Sequence, residues 1–246
     1  MNDFELMSHS LQDVLNLSCP PIAISFLDAM PDDIEAYGSD YPAPTEDGRT
    51  GAVSAGCVFW TRAAERTFST IPEDHGNCSV GSLTHGLIDL EQAATKADVK
   101  AVCEAKWVSP EVFPHIPTVS KRPKCIVYGP LAEVRKLPDV VFLRVNAKQA
   151  MQLHSALPTL RFEGKPQCHI IPLSVEQQQP AISVGCMLSR VRTGMTNNEM
   201  SCALPGAQVA DMIDALRQTV AADRMVAGYA SQDAGRFDSS LDRTKS

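Results

Sequence analysis

The eight cysteines of this chain, at 19, 57, 78, 103, 125, 168, 186 and 202, never fall at C-x-x-C spacing. Thiols this scattered share a site only if a fold built on an ordinary apolar core brings distant segments together. They are also too sparse to make a disulfide scaffold of 246 residues. Apolar content of 44% and charged content of 21% suit a globular protein able to bury such a core. The length accommodates one large domain or two small ones.

A formal net charge of −7 argues against a general nucleic-acid or acidic-membrane partner. The segment Met1 to Leu17 carries Asp3, Glu5 and Asp13 and no long apolar run, so it does not read as a signal peptide. No stretch approaches the roughly 18 apolar residues that span a bilayer. The expectation is a cytoplasmic protein whose thiols stay reduced, as buried small hydrophobes, metal ligands or redox groups.

Hydrophobic periodicity predicts strands alternating with helices, hence an α/β or α+β fold in a single domain, a mixed sheet flanked by helices. Phe4, Met7, Leu11, Val14 and Leu15 mark an amphipathic first helix, and Ile22 to Leu27 a buried strand. Pro31 to Arg49 reads as a long loop that covers a site or lies at an interface. A short helix is expected at Cys57 to Arg66, a strand at Thr67 to Ile71, a turn at Pro72 to Cys78 and a glycine-broken helix at Ser79 to Gly86. Glu91 to Lys106 reads as helix, and Lys124 to Pro130 and Val140 to Val145 as β-branched strands. Asn146 caps a helix to about Leu157, and Gln167 to Leu173 and Ala181 to Cys186 are further strands. Thr196 to Glu199 has capping-box spacing and is expected to open a short helix. Pro205 fits the first turn of a long helix with the stripe Val209, Met212, Ile213, Leu216 and Val220. From Gly228 the chain is polar and small and reads as a loose tail, which leaves 1–227 as the domain and 228–246 as the tail.

Cys19, Cys103 and Cys125 read as small buried side chains. Cys57, Cys78, Cys168 and Cys186 differ, each at an expected strand end, helix start or turn, with glycine beside three of them or nearby. Glycine next to a thiol lets backbone or a bulky ligand come close. Four thiolates match a 4Fe-4S or 2Fe-2S cluster or structural zinc, although the gaps fit no ferredoxin or zinc-ribbon run. Arg190 is a candidate to bind an anion or to pair with Glu199 across the loop. His75 and His85, on either side of Cys78, are candidates for general base, metal ligand or proton donor to a cluster sulfur, against solvated or capping roles. His169 would point away from Cys168 if the segment is extended. No G-x-G-x-x-G, G-x-x-x-x-G-K-[ST] or H-E-x-x-H run is present.

Further markers occur in order. They are Pro21-Ile22-Ala23-Ile24, Cys57 with Ala63 behind it, Cys78-Ser79-Val80-Gly81 with Gly86, and Pro138-Asp139-Val140-Val141. Asn146 to Met151, Cys168, Ser183-Val184-Gly185-Cys186 with Ser189-Arg190, Glu199-Met200 and Leu204-Pro205 complete the set. In these the chain resembles the DUF169 proteins of bacteria and archaea, a family of undefined function, over most of its length. The resemblance implies one α/β domain and a recurring cysteine set that coincides with the four thiols singled out above. The chain departs from that pattern at Met187-Leu188, where a glycine is common before Ser-Arg.

The leading expectation is an iron–sulfur protein, favouring 4Fe-4S, with Cys57, Cys78, Cys168 and Cys186 as ligands and Arg190 holding an anionic substrate or partner. Its role would be electron transfer to a redox partner protein, or Lewis-acid chemistry. The same thiols also suit zinc, a metal-free enzyme with Cys78 or Cys186 as nucleophile, or a binding or scaffold protein with purely structural cysteines. A domain of this size commonly forms a homo-oligomer.

Overall fold

Strands covered on both faces are apolar at every position rather than alternating. In the computed structural model, which describes residues 3–37 and 55–234, that rule picks out the middle of the sheet. The strands are Ile22–Leu27 (β1), Phe68–Thr70 (β2), Cys125–Pro130 (β3), Val140–Val145 (β4), Arg161–Glu163 (β5), Ala181–Ser183 (β6) and Met200–Pro205 (β7). They form one sheet in the order β2-β3-β1-β4-β7-β6-β5. Every neighbouring pair is antiparallel except β5 and β6. Both β3 and β4 are buried throughout, whereas the edges are the three-residue β2 and β5, short edges being one defence against edge-to-edge pairing.

Alternate residues serve opposite faces. Ala23, Val141, Leu143, Val145, Ile182, Cys202 and Leu204 meet the helices Asp3–Leu15 (α1), Ala147–Ala156 (α6) and Val209–Ala234 (α9). Ile24, Ile126, Tyr128, Val140, Phe142, Ala181 and Ala203 meet Gly56–Arg62 (α2) and Ile170–Gln177 (α7). A third, smaller cluster joins Val80 and Leu83 of Ser79–Thr84 (α3), Ala93 of Leu90–Thr95 (α4) and Val99 of Ala97–Glu104 (α5) to Phe113 and Ile116. The short helix Met187–Thr193 (α8) lies against α2. The result is the expected mixed α/β sheet with helices on both faces. Among the described residues no helix is long and apolar enough to cross a membrane.

The helix Glu91 to Lys106 is in fact two, broken where Lys96 takes an extended backbone (φ −72°, ψ 142°). The break lets Asp98 of α5 accept from the Ser79 backbone N–H at 2.8 Å and from its hydroxyl at 2.7 Å. Gln167 to Leu173 is not a strand: Gln167–His169 is a 3-10 turn and α7 follows. A short run that is apolar on all sides fits a buried helix as well as a buried strand, and Pro172 sits in the first turn, where its missing N–H is harmless.

Thr196 to Glu199 opens no helix. The Thr196 backbone N–H donates to Glu199 Oε2 at 2.6 Å and Glu199 N–H to Thr196 O at 3.2 Å, which closes a turn leading into β7. Pro205 ends β7 instead of starting the helix; Gly206–Gln208 forms a 3-10 turn before α9. The long helix carries the expected stripe and runs through Gly228 to Ala234, because extending a formed helix costs far less than starting one. Residues 38–49 of the expected long loop and 235–246 of the expected tail lie outside the described residues.

Leu216 of the α9 stripe is fully buried in the core that α9 shares with α1, α6 and the sheet, so Leu216→Ala is expected to cost about 2–5 kcal/mol. Val226→Ala, at a position 65% exposed on the same helix, should change stability by no more than about 0.5 kcal/mol. Urea unfolding of both variants checks the difference.

Candidate metal centre

Each of the four singled-out thiols sits where one element gives way to the next. Cys78 is the N-cap residue of α3, Cys186 that of α8, Cys57 lies in the first turn of α2, and Cys168 is in the 3-10 turn before α7. The fold brings all four to one cavity of about 30 Å³, lined also by Gly56, Trp60, His85, Gln167, Ser189 and Arg192. A void of that size holds little more than a water. The cavity lies where the layer of α2 and α7 meets the small cluster around α3, since Cys57 packs on the former, Cys78 on the latter and Cys168 on both.

Two glycines make the approach possible. A Cβ on Gly56 would stand 3.2 Å from both Cε1 and Nε2 of His85. Gly185 has φ +89°, a conformation that favours glycine, and a Cβ there would come within 3.2 Å of Gln167 Oε1. Hydrogen bonds fix the surrounding loops. Arg192 Nη2 donates to Asn77 O at 2.9 Å, tying α8 to the segment before Cys78. Cys186 Sγ accepts from the Ser189 backbone N–H at 3.4 Å.

Although each of these residues keeps some exposed surface, burial dominates the acidity of three of them. Burial pushes the Cys57 thiol up to about 11, and Cys78 adds to the rise while the Ser189 hydrogen bond and Arg192 oppose it. Burial also raises Cys78, against the charge of Arg192. Cys168 is raised well above its ordinary value by burial and then by Cys78. Charge on any one of these thiols disfavours charge on its neighbours, so Cys57, Cys78 and Cys168 stay neutral. A nucleophilic cysteine needs the opposite shift.

His75 and His85 are both buried, with ring centroids 6.0 Å apart. Burial lowers His85 to about 4 and His75 well below its ordinary value. His85 is the C-cap residue of α3 and lines the cavity; His75 is bonded to Thr70 at 3.0 Å and does not line it. His169 is also outside the lining, and the argument from an extended backbone lapses because its segment is helical.

Arg190 is engaged elsewhere through both terminal nitrogens. Its Nη1 donates to Thr196 O at 2.6 Å and its Nη2 to Val184 O at 2.6 Å and Glu199 O at 3.0 Å. It braces backbone carbonyls rather than the Glu199 carboxylate, and it does not line the cavity. The cation that does is Arg192. Residues two apart on a helix face away from each other, and nothing in the sequence marked 187–193 as helical. Of Met187 and Leu188, the first is 63% exposed and the second lines the cavity.

Several polar atoms of this lining have no hydrogen-bond partner among the described residues: Trp60 Nε1, His85 Nε2, Arg192 Nη1 and both amide atoms of Gln167. The remaining cysteines behave as small side chains, with Cys125 and Cys202 buried in the sheet and Cys103 packed beside the α3 cluster. Among the described residues no three His, Cys, Asp or Glu side chains are placed to hold a single metal ion.

A one-domain α/β protein with a cavity of four cysteines is thus the class that fold and site define. The chain belongs to the DUF169 family, described as uncharacterised ArCR, whose model matches residues 10–215. No curated protein and no solved structure shows a significant match to the chain.

The raised thiols give a pH signature. The folded Cys57 thiol ionises at about 11 against an ordinary 9.0, so the unfolded chain loses its proton first as pH rises. Its contribution to stability is complete below 9.0 and is lost as pH climbs to about 11. Urea midpoints of metal-free protein should fall across that window, and Cys57→Ala should flatten the fall; a wild-type profile with no slope there would contradict it.

Proposed function

We propose that Cys57, Cys78, Cys168 and Cys186 hold an iron–sulfur cluster of the 4Fe-4S type. The protein would then serve in electron transfer or in cluster-assisted chemistry on a small anion. The observation that carries this reading is the convergence of four thiols from four separate segments on one cavity.

Three features of the lining support it. In a cluster each thiolate has its own iron, so the sulfurs face a common volume without closing on a point. Four thiols lining one cavity match that stoichiometry. A cluster held by four thiolates is a net anion, and a buried anion needs compensation. Arg192, with one guanidinium nitrogen bonded to Asn77 O and the other unpartnered, supplies it. The unpartnered N–H groups of Trp60 and Arg192 are donors of the kind that hydrogen-bond cluster sulfur and tune its potential.

Because Cys57, Cys78 and Cys168 stand protonated, binding releases protons, and loading strengthens as pH rises.

Protein purified without oxygen is expected to be brown and to contain about four irons and four sulfides per chain. Serine at 57, 78, 168 or 186 should lower that content, and serine at 103 should not. No iron, no sulfide and no visible absorbance after anaerobic reconstitution would overturn the reading. In loaded protein Arg192→Gln removes a positive charge beside the cluster and should lower its midpoint potential. Arg190→Gln should chiefly destabilise the fold, by about 1.5–3 kcal/mol for each charged hydrogen bond lost, as potentiometry and urea unfolding would show.

A further inference from the structure

A second pocket, of about 370 Å³, shares no lining residue with the thiol cavity. Both take a wall from the end of α3: His85 lines the thiol cavity, and Leu83 and Gly86 line this pocket. A void of that size suits a small molecule. Its apolar walls include Leu83, Ile88, Phe113, Ile116 and Val119. All of these but Ile88 are no more than 7% exposed, so the walls belong to the core. Backbone contacts preset their shape. Gly86 has φ +70°, and a Cβ there would stand 2.5 Å from Val119 O, so glycine is what lets the two segments meet. The Val119 N–H donates to Thr84 O at 2.9 Å. The Ser120 N–H and hydroxyl each donate to the Glu176 carboxylate at 2.8 Å.

Two opposite charges, Asp89 and Arg122, line the same pocket. Each is held in place by the fold. Arg122 Nη2 donates to Leu87 O at 2.7 Å. Asp89 is the N-cap residue of α4, and its Oδ1 accepts from the Gln92 N–H at 2.7 Å. Among the described residues neither forms an ion pair, with the other or with a third group. Two oriented, opposite charges that do not neutralise each other, set beside an apolar wall, are complementary to a zwitterion with an apolar body.

We propose that this pocket binds a free α-amino acid with an apolar side chain. Arg122 takes the carboxylate, Asp89 takes the ammonium group, and the walls cover the side chain. Charge-assisted hydrogen bonds at the two ends give orientation and specificity, and removal of the apolar body from water adds affinity. No covalent bond is made or broken, and binding does not depend on a cluster being present.

The full chain is titrated calorimetrically with leucine, methionine and phenylalanine. Two analogues of each amino acid that binds follow: the acid lacking the amino group and the amine lacking the carboxylate. The expected result is that at least one amino acid binds and that each of its analogues binds about tenfold more weakly or worse. This comparison uses only the wild-type chain, so it does not depend on any variant folding. Arg122→Gln should weaken the amino acid and the acid but not the amine. Asp89→Asn, which keeps a capping side chain, should weaken the amino acid and the amine but not the acid. No binding by any of the three amino acids, analogues that bind as tightly as the amino acid, or binding that both folded variants leave unchanged overturns the assignment.

Discussion

Burial of the sheet on both faces is the constraint on which the rest of this structure depends. With β3 and β4 buried at every position, neither face can be left to water, and the chain must supply two layers of cover. One is provided by α1, α6 and α9, with Leu11, Leu153 and Leu216 fully buried against the sheet. The other is provided by α2 and α7 through Phe59, Trp60, Ile170 and Ile171. These two covering helices are short, and each has a cysteine at its leading end. The α3 cluster packs beside them, fastened by the two bonds from Ser79 to Asp98. The thiol cavity is the seam between the covering layer and this satellite.

The seam has an electrostatic character that follows from its position. Low polarity around the sulfurs keeps the protons on Cys57, Cys78 and Cys168, and it keeps His85 neutral. The same low polarity makes each unpaired N–H costly, by about 1–3 kcal/mol for a buried group. Trp60, Gln167 and Arg192 all leave such groups in the lining. A fold that keeps several unmet polar atoms beside several thiols carries a local conflict, and such conflicts gather at functional sites.

Much of the architecture was legible in the sequence, and the reasons for the exceptions are specific. The β1 bounds, the α1 stripe and the Asn146 cap, which accepts from the Gln149 backbone N–H at 3.0 Å, all rest on local signals that tertiary packing did not override. Gln167 to Leu173 failed because a run buried on every side carries no period. Thr196 to Glu199 failed because one carboxylate receiving a backbone N–H is common to a helix start and a turn. The alternation of Met200 to Pro205, buried from Ser201 onward as a central strand, was masked by that capping signal. In the site, glycine placement pointed to the cysteines that line one cavity, but which arginine faces them depends on the 3.6-residue turn of α8, which no periodic pattern announced.

The four thiols come from α2, from the loop before α3, from the turn before α7 and from the loop between β6 and α8. The segments also meet one another, through Arg192 to Asn77, the packing of α2 on α8 and that of α3 on the turn before α7. A metal group bound at all four sulfurs would add a tie common to all of them. It would also replace the S–H protons of the buried thiols with metal–sulfur bonds. Coordination and folding then become one free energy, concentrated in the satellite and α8 rather than in the sheet, whose core is complete without it.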